Sequence, residues 1–134
     1  MMKDFAIEYS SSWQDNPMAY WVHIEQDNQH WHEAEHFIPP APERDLRGLY
    51  KIYKVKIDGF TFKFSSLEQL EHCIEILSMG SLPITSELCK KRPGNEEANE
   101  HWLCTLPSQV KSRRYRQKAV KYLRKVRGEL INNR

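Results

Sequence analysis

Apolar and polar residues alternate from the start of the chain. In Lys3–Ser10, Phe5, Ile7 and Tyr9 fall on one side and Asp4 and Glu8 on the other, which is the period of a β-strand. Residues 10–17 are polar and carry Asp15, Asn16 and Pro17, a loop with turn chemistry. Residues 19–25 read as a second strand, with Tyr20, Val22 and Ile24 opposite Trp21 and His23, closed by a turn at Asp27-Asn28. Residues 30–38 fit a strand paired back onto the second, or a short helix. The strand is favoured, because Pro39-Pro40-Ala41-Pro42 follows at once and cannot extend a helix. Those prolines make 39–47 an extended surface linker of polyproline II type.

The clearest pattern comes next. Leu49, Tyr53, Val55 and Ile57 keep even spacing, interrupted by Lys51, with Lys54 and Lys56 opposite. Asp58-Gly59 is a favoured two-residue turn, because glycine tolerates the positive φ that such turns require. Phe60, Phe62 and Phe64 then recur at period two and need a cover. Ser65 stands three residues before Glu68 in capping-box spacing. Leu67, Leu70, Ile74 and Leu77 follow at helical intervals, flanked by Cys73 and Ile76, and Gly80 is a helix stop. Strand, turn, strand and helix are therefore expected in succession, with the helix on the phenylalanine face.

Beyond Ser81 the pattern is weaker. Thr85 is placed to cap a short helix through Leu88 and Cys89, residues 90–100 form a loop around Pro93-Gly94, and Trp102, Leu103 and Leu106 make a short apolar stretch. A final amphipathic helix is predicted over 108–131. Its apolar stripe is Tyr115, Ala119, Tyr122, Leu123, Val126 and Leu130, and Gly128 weakens its last turn. The expected fold is α+β, a single domain over 1–134. It has an antiparallel sheet of about four strands packed by one amphipathic helix, plus the C-terminal helix.

Composition supports a folded chain. Four Trp, six Tyr and five Phe are more aromatic residues than disordered segments carry. No apolar run approaches a membrane span, and no apolar signal core follows Met1, so a cytoplasmic protein is expected. Cys73, Cys89 and Cys104 are odd in number and lack CxxC spacing, which suits free thiols in a reducing compartment.

Charge is unevenly distributed along the chain. The formal net charge is +2, but residues 107–134 hold ten Lys or Arg and a single acid, Glu129. The remaining residues hold ten Lys or Arg against seventeen Asp or Glu. Such asymmetry points to a polyanionic partner for the basic part, or to a basic face docked on the acidic body of the same chain.

Two metal patterns compete for attention. His32-Glu33-Ala34-Glu35-His36 resembles the HExxH zinc motif of the zincin metalloproteases, which implies His32 and His36 as ligands and Glu33 as general base. That motif requires a helix, and Pro39-Pro40 cuts this one short. On a strand His32 and His36 would stand about 13 Å apart, too far to share an ion. The pattern is therefore read as a chance match. His72-Cys73, Cys89, His101 and Cys104 lack the paired ligand spacing of structural zinc, and Cys73 falls on the apolar side of its helix. No cofactor is expected, and neither a phosphate-binding glycine loop nor a G-x-S-x-G nucleophile elbow occurs.

The functional reading rests on Lys111, Arg113, Arg114, Arg116, Lys118, Lys121, Arg124, Lys125 and Arg127 around the apolar stripe of the last helix. Phosphates relieve the self-repulsion of charge this dense, and counterion release adds affinity. A non-enzymatic accessory protein that binds DNA or RNA through its backbone is the leading expectation. The alternatives are a protein-interaction module or inhibitor facing an acidic protein surface, and an HExxH zinc hydrolase. Asp58-Gly59-Phe60-Thr61-Phe62-Lys63-Phe64-Ser65-Ser66-Leu67-Glu68-Gln69-Leu70-Glu71 resembles stretches of short uncharacterised bacterial proteins carried on phages and integrated elements. The resemblance implies no activity. It implies a class of small accessory proteins that bind nucleic acid or block a host defence complex.

Overall fold

The computed structural model describes residues 2–26, 29–93, 95 and 100–132. The fold is α+β, with a three-stranded antiparallel sheet, a separate two-stranded ribbon and a long final helix. Strands β1 (Lys3–Ser10), β4 (Tyr50–Ile57) and β5 (Phe60–Phe64) form the sheet in the order β1-β4-β5. The expected strand over 19–25 is instead one helical turn, α1 (Ala19–Val22), followed by β2 (Ile24–Glu25). A backbone turn leads into α1, the Asn16 carbonyl accepting from the Ala19 amide at 3.1 Å. The expected strand over 30–38 shrinks to β3 (Phe37–Ile38), which pairs with β2. The Asp27-Asn28 turn between them lies outside the described residues.

The central hairpin forms as its pattern predicts. Asp58 and Gly59 take φ of 49° and 88°, the double positive φ of a type I′ turn. In the register Val55 opposes Phe5 and Phe62, while Ile57 opposes Phe60. Lys54 opposes Ala6 and Lys63 on the outer face and pairs with Glu8 at 2.6 Å. The buried side of β4 changes along its length. Val55 and Ile57 enter the main core, but Tyr50 and Ile52 are buried on the opposite side. Tyr50 joins Trp13, Ala19 and Phe37 in a second apolar cluster, where Trp13, Trp31 and Phe37 meet edge-to-face at 5.1–5.3 Å between centroids.

Helix α2 (Leu67–Leu77) covers the phenylalanine face and buries Leu70, Cys73, Ile74, Ile76 and Leu77. Its cap lies one residue later than the sequence pattern suggests. Ser66 is the N-cap and accepts from the Gln69 amide at 3.2 Å, while the Gln69 side chain closes the box on Ser65. The helix ends at Ser78, before Gly80. Helix α3 (Thr85–Lys91) and a 3₁₀ turn (Trp102–Thr105) complete the wall of the core. Residues 39–45 run without regular structure, as the prolines require, to the turn at 45–48.

The predicted C-terminal helix is interrupted. Helix α4 (Ser108–Lys111) stops at Ser112, which is extended, and α5 (Arg113–Asn132) begins there. Ser112 is the reason for the break: its Oγ accepts from the Tyr115 amide at 3.2 Å, as an N-cap does. Helix α5 is no appendage. Ala119, Val120, Leu123 and Val126 sit in the main core beside α2, and Tyr115 donates from its hydroxyl to the Ile57 carbonyl at 2.8 Å. The sheet is thus packed by two helices, where one was expected.

Candidate nucleic-acid interface

Because a helix turns by about 100° per residue, the α5 side chains sort into faces. Ala119, Leu123, Val126 and Leu130 point inward. Arg113, Arg124, Lys121, Arg114, Lys125 and Lys118 fall, in that order, within an arc of about 140° on the opposite side, which Gln117 and Gly128 share between Arg124 and Lys121. All six are exposed. From Arg113 to Lys125 the face runs about 18 Å along the axis. Lys111 and Arg127, at its margins, are half-buried.

Among the described residues the ion pairs are Arg47–Asp45, Lys54–Glu8 and Arg92–Glu25, and none involves α5. No described carboxylate therefore forms an ion pair with the basic face. Like charges instead meet at helical neighbour spacing: Arg114–Lys118, Lys118–Lys121, Lys121–Arg124 and Lys121–Lys125. Together these destabilise the helix by about 1–2 kcal/mol at low salt.

Arg116 leaves the predicted contact set. It is only 6% exposed, and its guanidinium serves the protein's own backbone. It donates to the carbonyls of Leu77 at 3.3 Å, Met79 at 2.5 Å, Gly80 at 3.5 Å and Lys111 at 2.9 Å. Of the last α2 carbonyls, those of Ile74 and Ile76 accept from the Ser78 and Met79 amides, and Arg116 serves that of Leu77 while bridging the segment after α2 to the break before α5. A cation at a helix C-terminus is also favourably placed in the helix dipole.

Beside Arg116, the end of α2 and the first turns of α5 enclose a groove of about 250 Å³. Arg113, Gln117, Val120 and Arg124 line it from α5, and Met79 and Gly80 from the segment after α2. The first four lie within about 60° of one another around the helix. Met79 is exposed at 37%. The charge pattern picks out Arg113 and Arg124, and helical spacing adds Gln117. No sequence signal places Met79 or Gly80 against them.

The other titratable clusters lie in the interior. His23 is fully buried, its Nδ1–H donating to the Pro39 carbonyl at 2.9 Å and its Nε2 accepting from the Ser66 hydroxyl at 2.9 Å. Desolvation holds its pKa below the usual value. This Ser–His contact ties α1 and the proline segment to the cap of α2. His72 Nε2 accepts from the Trp102 indole at 3.0 Å, and His101 Nδ1 accepts from the Leu103 amide at 3.1 Å. Burial lowers both to about 4, and His72 further disfavours charge on His101. Arg92 is buried against Glu25 at 2.6 Å and lies over the Tyr20 ring at 3.8 Å.

The zincin-like segment is neither a helix nor a strand. Residues 31–33 form a turn, with the Ala34 amide bonded to the His30 carbonyl at 2.9 Å, and His32, Glu33 and His36 are exposed. No group of three His, Cys, Asp or Glu among the described residues is arranged to hold a metal ion. No helix among the described residues is long and apolar enough to cross a membrane. Compared with family models, curated proteins and solved structures, the chain matches none, so the fold and its surface alone carry the functional reading.

Proposed function

We propose that the protein is a non-enzymatic nucleic-acid-binding protein that holds a phosphate backbone on the outer face of α5. The observation that carries this reading is the exposed arc of Arg113, Arg114, Lys118, Lys121, Arg124 and Lys125, which has no ion-pair partner among the described residues. A rigid, self-repelling cationic face gains free energy from a polyanion in two ways. Phosphates relieve the internal repulsion, and displaced counterions are released. Arg113, Arg114 and Arg124 offer two-pronged contacts to phosphate that lysine cannot make.

The test is fluorescence anisotropy with short DNA and RNA probes across a salt series. If all six cations engage phosphates, log K against log salt has a slope of about −4 for a single strand and about −5.4 for a duplex. The triple variant Arg114→Glu, Lys118→Glu, Lys125→Glu is expected to abolish binding while its circular dichroism and unfolding midpoint stay close to wild type. Absence of binding by the wild-type protein at low salt removes the reading.

A further inference from the structure

We infer that the groove between the end of α2 and the start of α5 takes one unstacked nucleotide, so that the protein prefers single strands to duplex. This rests on the backbone-binding reading and adds the strand form and a base site. The groove borders the cationic arc and shares Arg113 and Arg124 with it, so a strand laid on α5 passes its mouth. Its lining combines three chemistries suited to a nucleotide. Two guanidinium groups flank it and can meet a phosphate or lie flat on a base. The Gln117 amide carries both a donor and an acceptor for a base edge. Met79, exposed at 37%, supplies an apolar surface for a ring face, its side chain being flexible and polarisable.

Size and shape decide between strand forms. At about 250 Å³ the groove lies below the ~300–1,000 Å³ of pockets that enclose whole small ligands, so it admits one ring system and leaves the chain outside. In a duplex the bases are stacked and paired, and only the phosphates reach a convex helix face. A single strand can turn one base inward without unpairing it. Arg116 keeps the groove in shape, because its bonds to Leu77, Met79 and Gly80 fix the wall opposite α5.

The experiment uses the full chain. Gly80→Glu and Gln117→Glu each place a carboxylate in the groove, and a side chain at Gly80 meets nothing within 4 Å, so the first is sterically tolerated. Gln109→Glu, exposed on α4 outside the groove, is the control of equal charge change. Each groove variant is expected to weaken binding of a 12-nucleotide single strand about tenfold. For Gly80→Glu, which lies off α5, duplex binding should fall no further than in the control, whereas Gln117→Glu, set between Arg124 and Lys121 on the arc, lowers duplex binding as well. In parallel, adenosine monophosphate should shift the Met79 methyl NMR signal and the Gln117 amide more than inorganic phosphate at the same concentration. Oligonucleotide binding that survives in both groove variants as in the control overturns the inference while leaving the α5 reading in place. So do equal or absent shifts with the two probes. Failure of wild type to bind any oligonucleotide overturns both.

Discussion

Arg116 provides the sharpest test of how the last helix is built. Replacing it with alanine removes a guanidinium that donates to four carbonyls. The carbonyls of Met79 and Gly80 belong to an exposed segment and can take water instead. Those of Leu77, which is buried, and Lys111, which is half-buried, rehydrate less well. Two charge-assisted bonds lost without full replacement cost about 1.5 kcal/mol each, so the variant should be less stable by about 3 kcal/mol. For a domain of this size that lowers Tm by about 10–15 °C. Arg113→Ala and Arg124→Ala, at exposed positions of the same helix, should stay within about 0.5 kcal/mol of wild type. Urea unfolding followed by tryptophan fluorescence reads all three. Arg116→Lys separates charge from shape, because one ammonium cannot span the four acceptors, and most of the loss should remain. An Arg116→Ala variant no less stable than the two surface controls would refute the structural role.

Two further predictions concern the interior. His72 and His101 have folded pKa values near 4 against about 6.5 unfolded, so their neutral forms are favoured in the fold. The unfolded chain then binds protons first as pH falls. Stability is unaffected by these groups above pH 6.5 and declines between 6.5 and 4, by up to about 1.4 kcal/mol per pH unit for each histidine. Urea midpoints at pH 7, 6 and 5 check this, and a flat profile would contradict it. The three thiols should react with a disulfide reagent in order of exposure: Cys104 at once, Cys89 more slowly and Cys73 only on unfolding. Burial also pushes the Cys73 pKa upward, which withholds its thiolate.

What was legible in the sequence was the part that is periodic. The Asp58-Gly59 turn, β5 and α2 follow from turn chemistry and from spacings that one buried face imposes, while β1 and β4 are legible from alternation alone, since β1 is largely exposed and the buried side of β4 switches along its length. The second cluster was not legible for the converse reason. Trp13 sits in a segment that reads as polar loop, and Trp31 and Phe37 sit in one that reads as strand. These rings meet through chain geometry and follow no repeat. The same limit applies at the basic helix. Composition picks out the cations as a group, but burial depends on where the end of α2 lies, and that assigns Arg116 to the interior and Val120 to the core.

This partition would let one helix serve both the core and the proposed interface without conflict. Residues on the inner side of α5 anchor it to α2 and the sheet, and Arg116 locks its first turns to the end of α2. The outer arc is then held in place although its charges repel, because the inner face supplies the stability that the outer face lacks. A cationic surface built this way needs no folding on contact, so little conformational entropy is lost when a polyanion binds. Relief of the Arg114–Lys118, Lys118–Lys121, Lys121–Arg124 and Lys121–Lys125 repulsions adds to the binding free energy directly. A disordered basic tail of equal charge would lack both advantages. The burial of Ala119, Val120, Leu123 and Val126 is therefore as much a part of the proposed interface as the arginines and lysines outside.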